Sequence, residues 1–236
     1  MSGIIDFHSH VLPGIDDGSA SVEESVCMMQ QLADQGIGHV IATPHFYARY
    51  DNPEQFFPAR EKAERQLRHI IEYDDYLPKL SVGAEVHYFP GISNSDVLKG
   101  LTIAGKGCIL IEMPDSVWTE NMYAELENIS VRQGLIPIVA HVDRYISPFH
   151  TRGIPERLAK MPVLVQANAS FFLNKSTRAL ALKLLRQDKI HLLGSDCHNL
   201  TTRPPMLGDA VKVIREKLGE EPLDRIRDYQ KELLME

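Results

Sequence analysis

Seven short apolar runs punctuate the chain, and each gives way at once to polar residues of a narrow kind: GIIDFHSH (3–10), HVIATPH (39–45), LSVGAEVH (80–87), GCILIEMP (107–114), IPIVAHVDR (136–144), VLVQANAS (163–170) and IHLLGSDCH (190–198). Segments of helical period lie between them, over 22–35, 59–72, 121–133, 176–187 and 208–218. The first is well punctuated: Ser21 and Glu24 make a capping box, and Gly36 stands where a helix ends in a left-handed residue. The stretch 87–106 fits the alternation least and is expected to hold a hairpin or a short helix.

Strand and helix in alternation predict a parallel sheet, and runs apolar throughout predict strands buried on both faces. In a β/α barrel the residues just past the strand C-termini converge on one face, where chemistry is done. Such a barrel explains the polar endings. His8 and His10 share parity and point to one side, with Asp6 a layer deeper. Six of the seven runs end in possible metal ligands: His8/His10, His45, Glu85, Glu112, His141 and Asp196/His198, with Asp17 supplied by the first loop. Any one strand-end histidine is more often structural; the repetition argues otherwise, because massed carboxylates and imidazoles are costly to desolvate without a cation. Imidazole and carboxylate suit manganese, iron or zinc. Nine side chains exceed what one ion with an open position takes, so two or three divalent ions are expected.

Composition narrows the setting. With 236 residues and 44% apolar content the chain can bury one sizeable core, and no repeat or low-complexity linker divides it. It is read as one domain over 1–236, with a possible C-terminal helix at about 222–235. A formal charge of −7 disfavours a nucleic-acid partner. No run approaches the roughly 20 apolar residues of a membrane span, and the first residues lack a secretory signal, so a cytoplasmic location without membrane insertion is expected. Cys27, Cys108 and Cys197 cannot all pair and form no CxxC, so neither a disulfide framework nor a thiolate zinc site is indicated.

H-x-H, T-P-H, G-x-E, I-E-M-P, A-H-V-x-R-Y and S-D-x-H-N followed by R-P-P, spread over 6–205, together resemble the PHP superfamily of metal-dependent phosphoesterases. Within it the chain is most similar to the bacterial PHP-type protein tyrosine phosphatases of capsule and exopolysaccharide loci. The resemblance implies a distorted (β/α)7 barrel, a trinuclear centre usually described with manganese, and as substrate a phosphotyrosine-bearing protein, the partner bacterial tyrosine kinase. Carried over by motif, it puts His8, His10, Glu85 and Asp196 on one ion. Glu85, Glu112 and His141 fall on a second, and Asp17, His45 and His198 on a third. Asp17 is preferred to Asp16 as the second aspartate of D-D-G, and Asp6 is taken as an orienting residue rather than a ligand. Asp143 stands where many relatives have glutamate.

Arg144 and Arg203 match the positions that grip phosphate in those phosphatases, and a guanidinium fits two phosphoryl oxygens better than an ammonium does. Three divalent ions, four carboxylates and two arginines leave a locally positive pocket. The expected mechanism is direct attack by a metal-bound hydroxide, with no phosphoenzyme. Cys197 to Arg203 formally satisfies the C-x5-R spacing of cysteine-dependent phosphatases, but it lacks their glycines and is set aside. Asn168 faces the barrel mouth, touching either substrate or loop backbone. Tyr47, Tyr50, Phe56 and Phe57 either rim a phosphotyrosine ring or simply pack. Two alternatives stand beside the tyrosine phosphatase: a small-molecule PHP phosphatase resembling histidinol-phosphate phosphatase, and a non-catalytic regulatory or scaffold PHP domain.

Overall fold

The computed structural model describes residues 3–146 and 153–235, and in it every one of the seven runs is extended. The strands are β1 (Asp6–Ser9), β2 (His39–Ala42), β3 (His45–Phe46), β4 (Lys79–Val82), β5 (Glu85–His87), β6 (Cys108–Glu112), β7 (Ile136–Val139), β8 (Leu164–Asn168) and β9 (Leu192–Gly194). All pairings are parallel, in the orders β1-β2-β4 and β3-β5-β6-β7-β8-β9.

Two of the runs are thus broken in the middle, where the chain steps from one sheet to the other. The first break spans Thr43 and Pro44, and proline has no N–H to give a ladder. The second spans Gly83 and Ala84, where a Cβ on Gly83 would stand 2.9 Å from Ile103. Hydrogen bonds carry the connection across: Gly83 N–H to Ala42 O at 2.8 Å and Glu85 N–H to Pro44 O at 3.0 Å. At the far side β9 returns to β1 through a parallel bridge between Ser9 and Cys197, reinforced by Asp196 N–H to His8 O at 2.8 Å. The result is a curled α/β barrel of seven strand runs, distorted where two of them break.

The helices are α1 (Val22–Asp34), α2 (Pro53–Ile71), α3 (Leu98–Leu101), α4 (Glu120–Gln133), α5 (Ile154–Leu158), α6 (Ala169–Leu173), α7 (Arg178–Arg186), α8 (Leu207–Leu218) and α9 (Glu221–Met235). Ser21 caps α1 by accepting from Glu24 N–H at 3.2 Å, and Gly36 follows at φ 81°. Helix α2 begins six residues ahead of the expected start at 59, because Asn52 caps it and Pro53 takes the first position, where its missing N–H costs nothing. Pro58 then sits inside the helix instead of before it. The stretch 87–106 holds no hairpin: after β5 it makes two 3-10 turns and the short α3.

The larger apolar cluster lies between strands and helices. A smaller one joins Phe7, Ile41, Leu110, Ile138 and Leu192 from five strands, with Leu233 of α9 as its helical member, so it fills the inside of the curl. Helix α9 is moored beneath β1. The Gln230 side chain accepts from Ile5 N–H at 3.1 Å and donates to Ile5 O at 3.0 Å, at the end of the strands opposite the polar cluster.

Candidate metal centre

Each of the nine candidate ligands sits at the C-terminal end of its strand run or in the turn beyond it, and the barrel brings all nine together. Glu85, at the start of β5 and buried, stands at the middle. Its Oε2 lies 3.2 Å from His8 Nε2, 3.4 Å from His10 Nε2 and 3.0 Å from His45 Nδ1, while its Oε1 lies 2.7 Å from His141 Nε2. Asp196 Oδ1 stands 3.5 Å from His8 Nε2 and 3.6 Å from His10 Nε2. Glu112 Oε1 is 3.4 Å from His141 Nε2. Asp17, exposed on the first loop, brings Oδ1 to 3.3 Å from His45 Nε2 and 3.5 Å from His198 Nε2.

The orientation of the two leading imidazoles bears on what fits between them. His8 Nδ1 faces Gln166 Oε1 at 3.3 Å, and that oxygen is identified by its second partner, the backbone N–H of His141 at 2.6 Å. His10 Nδ1 faces Asp16 Oδ2 at 2.8 Å. Both Nδ1 atoms therefore carry hydrogen, which turns both Nε2 atoms toward one another across 3.1 Å, where a cation that displaces any further proton meets their lone pairs. Glu85 Oε2, His45 Nδ1 and His198 Nε2 are buried without a hydrogen-bond partner. Imidazole and carboxylate donors with unspent lone pairs suit a divalent cation. Three sets have donor atoms close enough to share one: His8, His10 and Glu85; His45, Glu85 and Glu112; and His10, Asp17, His45 and His198. These overlap the sets carried over by motif, but His45 joins Glu85 and Glu112, and His10 joins the outer group.

Charge in the cluster is held by proton sharing. Burial opposes the imidazolium of His10, yet Asp16 and Glu85 overcome it and hold its pKa up at about 10. Burial likewise opposes that of His141, which Glu112 and Glu85 raise to about 9. Burial works against the Glu112 carboxylate, and His141 and His87 nonetheless draw it down to about 2. His198, desolvated and next to cationic His10, is pushed down to about 4.

Supporting residues hold this arrangement, and among them Gln166 and His87 had no role assigned from the sequence. Asp16 accepts from His10 Nδ1, from His45 N–H at 3.0 Å and from Gly18 N–H at 2.9 Å, so it braces the cluster while Asp17 faces it. A Cβ on Gly18 would lie 2.4 Å from His10 O. Gln166, fully buried on β8, serves His8 and His141 with its oxygen, and its Nε2 donates to Asn168 Oδ1 at 3.0 Å. Asn168 in turn donates to Asp196 Oδ2 at 2.8 Å, so it touches a candidate ligand rather than only the loop backbone. His87 Nδ1 meets Glu112 Oε2 at 3.0 Å. Asp6 accepts from the N–H groups of Ser195 at 2.8 Å and His8 at 3.3 Å, so it fixes the backbone under His8 and not its ring. His141 (φ 29°) and Asp196 (φ 53°) hold left-handed backbone, a strain of the sort stored at functional sites.

Arg144 and Arg203 stand at the mouth and grip opposite oxygens of Asp196, at 2.7 and 2.8 Å. Cys197 is wholly buried, and desolvation pushes its thiol pKa up, which makes it a poor nucleophile. Phe56 is buried and Phe57 packs on Gly100 and Phe56, so both belong to the core side of α2; Tyr47 and Tyr50 line open space near His45.

Fold and cluster together define a class: parallel α/β barrels with a candidate polynuclear metal centre at the C-terminal ends of the strands. Residues 4–235 match the family model described as capsular polysaccharide synthesis, CpsB/CapC. The chain belongs to the CpsB/CapC family. It is 31% identical over 228 residues to the tyrosine-protein phosphatase YwqE of Bacillus subtilis, spanning 92% of this chain and 86% of that one. With the tyrosine-protein phosphatase CpsB of Streptococcus agalactiae it shares 26% identity over 238 residues, 94% of each chain. It superposes with a TM-score of 0.85 and 26% identity, over 98% of this chain and 94% of the other, on a chain from the crystal structures of YwqE from Bacillus subtilis and CpsB from Streptococcus pneumoniae, described as metal-dependent tyrosine phosphatases. An amidohydrolase shares the fold at a TM-score of 0.56 and 11% identity, over 100% of this chain and 74% of that one.

Proposed function

We propose that the protein is a metal-dependent phosphatase that removes phosphate from tyrosine side chains of a protein, the substrate being a bacterial tyrosine kinase of capsule or exopolysaccharide production. The carrying observation is the Glu85-centred cluster with Arg144 and Arg203 at its mouth. Membership in a capsule-synthesis family and likeness to proteins named tyrosine phosphatases support the substrate class.

In this reading His8, His10, Glu85 and Asp196 hold one divalent ion, Glu85, Glu112 and His141 a second, and Asp17, His45 and His198 a third, with manganese as the first choice. When bound, the ions supply positive charge that makes water acidic near neutral pH and draws electron density from a phosphoryl group. The chain's own residues do the rest. Gln166 and Asp16 hold His8 and His10 with Nε2 toward the cluster. Arg144 and Arg203, 40% and 35% exposed, offer N–H donors to the phosphoryl oxygens and pull the ester into line. Three free cysteines fit the reducing, cytoplasmic setting of this reading; among the described residues no helix is long and apolar enough to cross a membrane.

The test is phosphate release from a phosphotyrosine peptide and from histidinol phosphate, by metal-stripped protein with and without manganese. Manganese-restored, peptide-selective turnover is expected. Preference for the small ester, or no turnover of either, refutes the reading.

A further inference from the structure

The two arginines at the mouth are carried in different ways. Arg144 rides on a 3-10 turn, Val142–Tyr145, shortly after β7. Arg203 lies in the stretch 199–205, which has no regular secondary structure and exposes Thr201 and Thr202 to solvent. An irregular, solvent-facing segment has few packing contacts with which to hold a long side chain in one place. Yet the Arg203 guanidinium reaches Asp196 Oδ1 at 2.8 Å and comes to 3.9 Å from Asp17 Oδ2, between two candidate ligands.

One side-chain oxygen organises the segment. Asn199 Oδ1 accepts from the N–H groups of Thr201 at 3.0 Å, Thr202 at 2.8 Å and Arg203 at 3.1 Å. Three backbone donors on one atom identify it as the amide oxygen, and Nδ2 then donates to Thr202 Oγ1 at 3.0 Å. On its other side the loop is closed by Arg203 O, which accepts from His198 N–H at 2.9 Å, so the backbone of the arginine is tied straight to that of a candidate ligand. Gln35, at the end of α1, fixes the exit: its Nε2 donates to Pro205 O at 2.8 Å and its Oε1 accepts from Gly208 N–H at 2.9 Å.

We propose that Asn199 is the positioning residue of Arg203: its side-chain oxygen sets the backbone from which the guanidinium meets a phosphoryl group, and it acts on phosphate binding only through that arginine. The inference rests on the phosphatase reading above, which gives Arg203 its ligand, and adds the residue that holds it ready. Without this oxygen the three N–H groups turn to water, the loop samples other conformations, and binding must first restore the productive one. Arg144, on its own 3-10 turn, keeps its place.

The test is a double-mutant cycle in the affinity of the manganese-loaded protein for inorganic phosphate, read by calorimetry with metal content measured for every variant. Asn199→Ala is expected to weaken phosphate binding about fivefold or more when Arg203 is present, and less than about twofold in an Arg203→Ala protein, where no guanidinium is left to misplace. Asn199→Ser, whose hydroxyl can still accept one of the N–H groups, goes through the same cycle with an intermediate loss expected, so the question is answered even if the alanine protein does not load metal. A residue that merely stabilised the fold or the His198 turn would cost the same in both backgrounds. Equal losses, or no loss in either variant, overturn the proposal, as does a wild-type protein that binds no phosphate. Failure of the phosphatase reading looks different: phosphate binds and the coupling to Arg203 is measured, but a phosphotyrosine peptide releases none.

Discussion

Gln166→Leu removes one amide of nearly the same volume from a residue with no exposure to solvent, and its consequences can be worked from three contacts. Gln166 Oε1 accepts from His141 N–H at 2.6 Å and faces His8 Nδ1 at 3.3 Å; Nε2 donates to Asn168 Oδ1 at 3.0 Å. Leaving the His141 N–H buried and unpaired costs about 1–3 kcal/mol, and loss of the Asn168 bond about another 0.5–1.5 kcal/mol. For a chain of this size each kcal/mol lowers Tm by about 2–4 °C, so the metal-free variant is expected to melt roughly 3–18 °C lower. The same change frees the His8 ring to turn and exchange tautomer, which is expected to weaken manganese binding by about 10–100-fold. Calorimetric melting of the metal-free protein and manganese titration read the two effects separately. Gln166→Glu keeps the acceptor and loses the donor, so it should recover metal affinity better than Gln166→Leu. A Gln166→Leu protein with Tm within about 2 °C of wild type and manganese affinity within about twofold would refute the idea that β8, which supplies no candidate ligand, orients those of its neighbours.

Arg203→Lys keeps the charge and loses the forked donors, so kcat/KM on a phosphotyrosine peptide is expected to fall about tenfold or more at unchanged metal content; an unaltered value removes Arg203 from substrate binding. Manganese loading at pH 8 is expected to expel protons, because the metal-free cluster holds His10 and His141 protonated up to about 10 and 9, and affinity should therefore rise with pH; calorimetry in buffers of different ionisation enthalpy counts the protons, and a count of zero contradicts the sharing described for the cluster. His191 is desolvated with its pKa lowered, and its Nδ1 accepts from Val165 N–H at 3.0 Å. The unfolded chain takes up that proton first, so the stability contributed by neutral His191 is full above the ordinary value near 6.5 and is lost as pH falls below it, by at most about 1.4 kcal/mol per unit. Urea unfolding of wild type and His191→Gln at pH 7.5 and 5.5 is expected to show a smaller acid loss in the variant, and equal losses would exclude the assignment.

Much of the barrel is legible in the sequence because the physics is local. Runs apolar throughout leave little choice but strands covered on both faces, and the recurrence of histidine and carboxylate just past them points to one end of the sheet. What escapes is long-range. The breaks at Pro44 and Gly83 interrupt runs that look continuous, and only the path of neighbouring strands decides where a ladder stops. The helical period reads from 59, yet Asn52 and Pro53 had already started the helix, with Pro58 inside it. Gln166 left one signal, an amide inside the apolar run VLVQANAS, but the two partners of its oxygen are 25 and 158 residues away. His87 is two residues from Glu85 and so shares its side of the strand, which marks it as a neighbour of the cluster without saying that it meets Glu112.

The mooring of α9 under β1 gives the molecule an order of assembly. The Gln230 side chain holds both the N–H and the C=O of Ile5, and Leu233 completes the inside of the curl. On a ribosome the chain emerges from its first residues, so the half-built barrel must wait, with its lower mouth open, for a helix made more than two hundred residues later. Every strand that carries a candidate ligand has by then been synthesised, so the end of the barrel that gathers the ligands can pair its strands while the opposite end still waits for its cover.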